Sequence, residues 1–153
     1  LSLDDNIRAL QRTPLLSEIG VDALRLLAFA TETINLGDGD MLFEHGEAAA
    51  GGFTVVHGKI RLDAGNGNVT VAGPGSVIGE MALLVDTVRP CDAYAHGPAR
   101  LLSMPRKQFL RILEEFPEMA AVLRARLVAR MRSEFLALQR IQGKLDKLPT
   151  RGE

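Results

Sequence analysis

Apolar positions recur at helical spacing at both ends of the chain and alternate with polar ones through the middle. Leu3, Ile7 and Leu10, and then Leu24, Leu27 and Phe29, carry Asp4 and Asp22 in their first turns, so 3–10 and 21–31 are predicted as short helices parted at Pro14. From Glu32 the period falls to two. Thr33–Leu36, Met41–Phe43, Phe53–Val56, Lys59–Asp63, Asn68–Val71, Cys91–His96 and Ala99–Met104 read as short strands, broken by Gly-Asp-Gly, His-Gly-Glu, His-Gly and Gly-Asn-Gly turns. Close, regular turns predict an antiparallel β-roll of jelly-roll type. Helical spacing returns with Phe109, Ile112 and Leu113 in a helix over 106–116, and Pro117 then opens a long helix expected to end at Gly143.

The expected fold is therefore α+β. A helical lead-in (1–31) precedes the β-roll (32–105), followed by lid and dimerisation helices (106–142) and a flexible tail (143–153). Along the long helix Val122, Leu123 and Leu127 are expected to cover the roll. Val128, Met131, Phe135, Leu138, Gln142 and Leu145 form a narrower stripe below them. A narrow stripe with nothing of its own chain left to cover predicts a parallel homodimer through helix 118–142.

Composition narrows the classes. A chain of 153 residues with 24% charged residues suits one soluble domain with a sizeable core. No run reaches the length of a membrane span and no charged-then-apolar leader opens the chain, so a cytoplasmic protein is expected. The first residue is Leu rather than Met, so a start or a tag is expected to be omitted from this sequence. One cysteine excludes an internal disulfide. The formal charge is −5 over residues 1–115 and +4 over 116–153. With no aromatic residues interleaved, the basic end reads as the solvated flank of a helix rather than a nucleic-acid surface.

The chemistry concentrates in Val77–Ala93, VIGEMALLVDTVRPCDA. Glycines at 75 and 79 allow positive φ and close backbone approach, and a helix starting near Glu80 leaves the N–H groups of Met81 and Ala82 open to an anion. Arg89 suits a phosphate, which its planar fork grips with two parallel hydrogen bonds. Glu80 is expected to face a ligand hydroxyl, because a carboxylate beside a phosphate is otherwise repelled. A simple Glu80–Arg89 ion pair is the structural alternative. His45, His57 and His96 are isolated in or beside turns, so a cupin-type metal centre is not expected.

Gly79-Glu80-Met81-Ala82-Leu83-Leu84, four residues, then Arg89 and two small positions resembles the phosphate-binding cassette of the cyclic nucleotide-binding domain family. That family includes catabolite activators, kinase A regulatory subunits and cyclic nucleotide-gated channels. Gly73-Pro74-Gly75 resembles the turn before the cassette. His45-Gly46-Glu47 with Phe53–Ile60 resembles the family's strand-turn-strand, with Thr54 where an aromatic is more usual.

The resemblance implies a cyclic nucleotide sensor without catalytic residues, metal or cofactor, with cyclic AMP favoured over cyclic GMP. It implies that Gly79, Glu80, Met81, Ala82, Arg89, Pro90 and Cys91 surround phosphate and ribose, although the Cys91 side chain itself reads as packing. Val69, Val71 and a residue of the long helix are expected at the base. Family members that bind cyclic AMP often carry Ser, Thr or Ala where Pro90 stands, and proline brings neither N–H nor hydroxyl. Pro90 thus keeps open a degenerate relative that binds no nucleotide and serves as a dimeric scaffold. Too few residues follow Gln142 for a DNA-reading module, which is expected to be absent from this chain.

Overall fold

The computed structural model describes residues 3–17 and 19–146. Helices α1 (Leu3–Gln11) and α2 (Val21–Ala30) lead into strands β1 (Glu32–Leu36), β2 (Met41–Phe43), β3 (Ala48–Ala49), β4 (Gly51–Asp63), β5 (Val69–Ala72), β6 (Val77–Ile78), β7 (Thr87–Val88) and β8 (Asp92–Pro105). Helices α3 (Arg106–Glu115) and α4 (Pro117–Asp146) follow. Every described strand pair is antiparallel. One sheet runs β1-β8-β4-β5, with β2 added on β8 and β6 on β4, and β3 pairs with β7 separately.

Two strands are longer than the glycine pattern predicts. His57-Gly58 reads as a turn and the predicted strands break again between His96 and Ala99, yet β4 and β8 run straight through both places as strands of 13 and 14 residues. The pairing shifts register on both sides of His57. Gly58 has φ +80°, and a Cβ there would lie 2.2 Å from the Pro98 carbonyl oxygen. These glycines mark a bulge where two backbones press together, which bends the pair without ending it.

The long pair also divides the core. Adjacent residues of a strand face opposite sides. Leu101 of β8 joins Phe43, Val55, Ile60, Ile78, Ala93 and Ala95 inside the roll, while Leu102 joins Leu10, Leu24, Leu27, Phe109 and Leu123 under the helices. Leu83 sits in this second cluster too, which ties the cassette to α3.

Three helical expectations change. Phe29 is 70% exposed, because Ala23, Leu24, Leu27 and Ala28 form the buried face of α2. Val122 is exposed, whereas Leu123 and Leu127 are buried. Gly143 does not end α4, which continues to Asp146, so the expected tail begins helically. Of the proposed dimer stripe Val128 is exposed; the side chains of Met131, Phe135, Leu138, Gln142 and Leu145 lie outside the described residues, as do residues 147–153.

Candidate functional site

Arg89 is delivered by the small β3–β7 sheet, in which Ala48 pairs with Val88 and Ala49 with Thr87. Just beyond β7 its backbone is fixed on both sides. The Arg89 N–H donates to the Glu47 carbonyl at 2.8 Å, and its own carbonyl accepts from Gly46 N–H at 2.8 Å. The side chain turns inward and is only 5% exposed. Its guanidinium carbon stands 4.5 Å from the Phe43 ring centre and 5.2 Å from that of Phe53. Aromatic faces stabilise a cation by about 0.5–2 kcal/mol but accept none of its directed hydrogen bonds.

That leaves donors without acceptors. The Arg89 Nε and Nη1 atoms are buried and have no hydrogen-bond partner. Burial lowers the Arg89 pKa, the Glu47 carboxylate pulls it back up, and the neighbouring Arg106 guanidinium lowers it further. Gly79 makes room for this group. It has φ +77°, and a Cβ there would fall 2.6 Å from Arg89 Nη1. Only glycine fits both the left-handed backbone and the contact.

Glu80 does not pair with Arg89. Its two carboxylate oxygens accept from Arg130 Nη1 of α4 at 2.5 and 2.6 Å. The cassette helix also differs from expectation. It is a single 3₁₀ turn, Met81–Leu83, in which Ala82 N–H already donates to the Gly79 carbonyl at 3.1 Å. Ala82 therefore has an acceptor within the chain, because a 3₁₀ turn bonds one residue earlier than an α-helix. Met81 stands first in the turn, ahead of that series of bonds.

Gly79, Glu80, Met81, Ala82, Arg89 and Pro90 line one cavity of about 360 Å³, closed by Val77, Thr87, Leu127 and Arg130. A cavity of this size suits a small polar ligand with one apolar portion. The other three expected positions lie elsewhere. Val71 borders an adjoining hollow, half exposed on β5. Val69 pairs with Asp63 at the start of β5 and borders neither space. Cys91 packs against the core inside the roll, and burial together with Asp92 and Asp63 raises its thiol pKa. A thiol so placed is a weak nucleophile.

Two arginines escaped the sequence reading. Arg106, at the start of α3, donates through Nη1 to the carbonyls of Ala49 at 2.9 Å, Ala82 at 3.2 Å and Val85 at 3.1 Å, and its Nη2 faces Asp86 at 3.4 Å. It holds the carbonyl end of the cassette turn to α3. Arg130 was hidden in the basic part of α4, although helical spacing puts Arg126 and Arg130 on one face. His57 and His96 are exposed within β4 and β8, and His45 is exposed in the turn after β2, where its N–H donates to Asp92. Among the described residues no His, Cys, Asp or Glu side chains gather into a metal-binding set, and no helix is long and apolar enough to cross a membrane.

A β-roll with helices before and after it, and a buried arginine beside a glycine-led turn, defines a ligand-binding regulatory fold. The chain belongs to the cyclic nucleotide-binding domain family, whose family model matches residues 33–116. A cyclic nucleotide-binding-like protein from Brucella abortus is 36% identical, with a TM-score of 0.63 over 72% of this chain and 99% of that one. A bacterial protein solved in work on a cyclic-GMP-dependent signalling pathway that regulates phytopathogenesis is 30% identical, with a TM-score of 0.65 over 75% of this chain and 95% of that one. Lysophospholipase NTE1 of Phaeosphaeria nodorum is 30% identical over 110 residues, 69% of this chain and 7% of that protein. The chain thus spans less than a tenth of the length of the curated relatives it matches.

Proposed function

We propose that this chain is a sensor domain for a cyclic nucleoside monophosphate, signalling through its C-terminal helix and performing no chemistry of its own. One observation carries the proposal. A buried arginine whose Nε and Nη1 lack acceptors lines a cavity with the rest of the cassette. Leaving buried donors unmet costs about 1–3 kcal/mol each, and a phosphodiester in the cavity supplies the anion and the charge-assisted bonds that this guanidinium lacks within the described chain. In this reading Arg89 and the Met81 N–H hold the phosphate, Glu80 accepts from the ribose 2′-hydroxyl, and Leu127 with Val77 borders the base.

Signalling then follows from who holds Glu80. Arg130 occupies its carboxylate now, so a ribose hydroxyl and α4 compete for, or share, one acceptor. Leu83 and Arg106 connect the same turn to α3. A ligand shifts these helices only by the difference in its affinity for their two arrangements. The lysophospholipase relatives match over a domain-sized stretch alone, and the proposal takes none of their hydrolytic activity. The cytoplasm is the proposed location, since a lone thiol such as Cys91 stays reduced there.

A calorimetric titration with cyclic AMP and cyclic GMP tests the reading. Saturable heat at one nucleotide per chain is expected. Pro90→Ser restores an N–H and a hydroxyl beside the phosphate and is expected to tighten binding by about tenfold. A second reading, the non-binding dimeric scaffold, draws on Ala82 N–H and the Glu80 carboxylate being engaged within the chain. It requires silence from both nucleotides in both proteins. The proposed homodimer along helix 118–142 is checked by sedimentation: a dimer is expected at high concentration, and a monomer throughout contradicts it.

A further inference from the structure

A separate cavity of about 350 Å³ lies between α1, β4 and the turn that follows β5. Val55, Val56 and Pro74 give it apolar walls, and Arg8, Arg12 and His57 bring polar groups to it. Apolar walls with a few polar groups are what small-molecule sites have in common. Neither Arg89 nor Glu80 borders this space.

Each polar group is placed by a local feature of the chain. Arg12 follows α1 directly, and its N–H still donates to the Arg8 carbonyl at 3.2 Å, so the two arginines share one helix face. Like charges four residues apart repel each other, and an anion between them removes that repulsion. His57 comes from the bulge in β4, a distortion that re-aims a side chain. Asp5 also lines the cavity. Its Oδ1 lies 4.0 Å from Arg8 Nη1, and that ion pair offsets Arg8. Arg12 and His57 differ: among the described residues neither side chain has a hydrogen-bond or ion-pair partner.

Arg12 offers a planar fork of donors, while a neutral His57 ring offers one donor and one acceptor, and a protonated ring two donors. A phosphate monoester answers either state of the ring. It presents three acceptor oxygens and changes its own protonation near neutral pH, which a phosphodiester does not. The apolar walls receive its organic portion.

We propose that this cavity is a second ligand site, which takes a phosphate monoester on Arg12 and His57. The occupied site ties the lead-in to the roll. Gly75 is the link, because its N–H donates to the Val55 carbonyl at 2.9 Å and a Cβ there would lie 3.5 Å from the Arg12 carbonyl oxygen. The same turn runs on into β6 and the cassette. A soluble metabolite and the headgroup of phosphatidate carry the same chemical group, and the site stands independently of the cyclic nucleotide reading.

The test titrates glycerol 3-phosphate into the full chain in phosphate-free buffer, and follows the arginine Nε–H and histidine ring signals by nitrogen-15 spectroscopy. Arg89→Met serves as a background in which the cassette no longer competes for the anion. Saturable movement of the Arg12 and His57 signals is expected in both proteins. Arg12→Gln and His57→Gln, with thermal melts to confirm folding, are each expected to weaken binding about fivefold to tenfold, a modest loss because both side chains are exposed. Phosphatidylcholine vesicles with and without phosphatidate identify the source. Capture by phosphatidate that falls with both substitutions extends the site to the lipid headgroup. Capture that is absent, or indifferent to both substitutions, restricts it to soluble monoesters. Glycerol 3-phosphate that does not saturate, that binds only while Arg89 is present, or that is indifferent to Arg12→Gln and His57→Gln overturns the inference and leaves the cyclic nucleotide reading standing.

Discussion

Replacing Arg89 by methionine is expected to abolish nucleotide binding while leaving the ligand-free domain at least as stable as before. The two effects separate because the guanidinium is a liability until an anion arrives. It is 5% exposed, and its Nε and Nη1 have no acceptor. Its pKa is lowered chiefly by burial, so folding disfavours the cation. That cost is present at neutral pH, and it is relieved only as pH climbs through the lowered pKa. Methionine keeps most of the volume and removes the charge, a kind of exchange that is often neutral or stabilising. Against this stands the loss of the contacts with Phe43 and Phe53, about 0.5–2 kcal/mol. The ligand-free melting temperature is expected to hold or rise. A fall of more than about 6 °C, roughly 2 kcal/mol for a chain of this length, would show that Arg89 is structural. Binding, by contrast, is expected to weaken by about a hundredfold or more, since two charge-assisted bonds vanish together.

The second large effect is expected at Glu80. A 2′-deoxy cyclic nucleotide should bind the unmodified protein about tenfold or more weakly, the loss of one hydrogen bond to a charged group. With Glu80→Ala the same ligand change should cost almost nothing. Only that non-additivity assigns the hydroxyl to Glu80, because the substitution also removes the Glu80–Arg130 ion pair. Titrating ribo and deoxy ligands against both proteins closes the cycle. Equal penalties in the two proteins mean that the hydroxyl lies elsewhere and that Glu80 serves mainly to hold α4.

Much of the site was legible because its parts are consecutive. Gly79, Glu80, Ala82 and Arg89 fall within eleven residues, and a phosphate needs that local sequence of freed backbone and fork. The partners that complete it come from far along the chain. Arg106 and Arg130 lie on α3 and α4, where a lone arginine looks like any exposed charge until the helix is folded onto the cassette. Ala82 was misread for a different reason: a start suited to an α-helix closes as a 3₁₀ turn and takes up its own N–H.

The fold shows the same division between local and distant causes. Alternating residues in β1, β4, β5 and β8 marked a roll. Gly58 and Gly97 suggested turns, because nothing in the sequence says that one strand's glycine makes room for another strand's Pro98. Phe29 shows the limit of periodicity, since apolar spacing does not decide which of two neighbouring faces is covered.

The claim beneath all of this is that the buried guanidinium of Arg89 waits for a phosphate. A nitrogen-15 spectrum of the arginine side chains, recorded while cyclic GMP is titrated in, observes that group itself. The account predicts that the Arg89 Nε–H signal moves in step with saturation and becomes protected from exchange with water. Saturable nucleotide binding with that signal unmoved would contradict it.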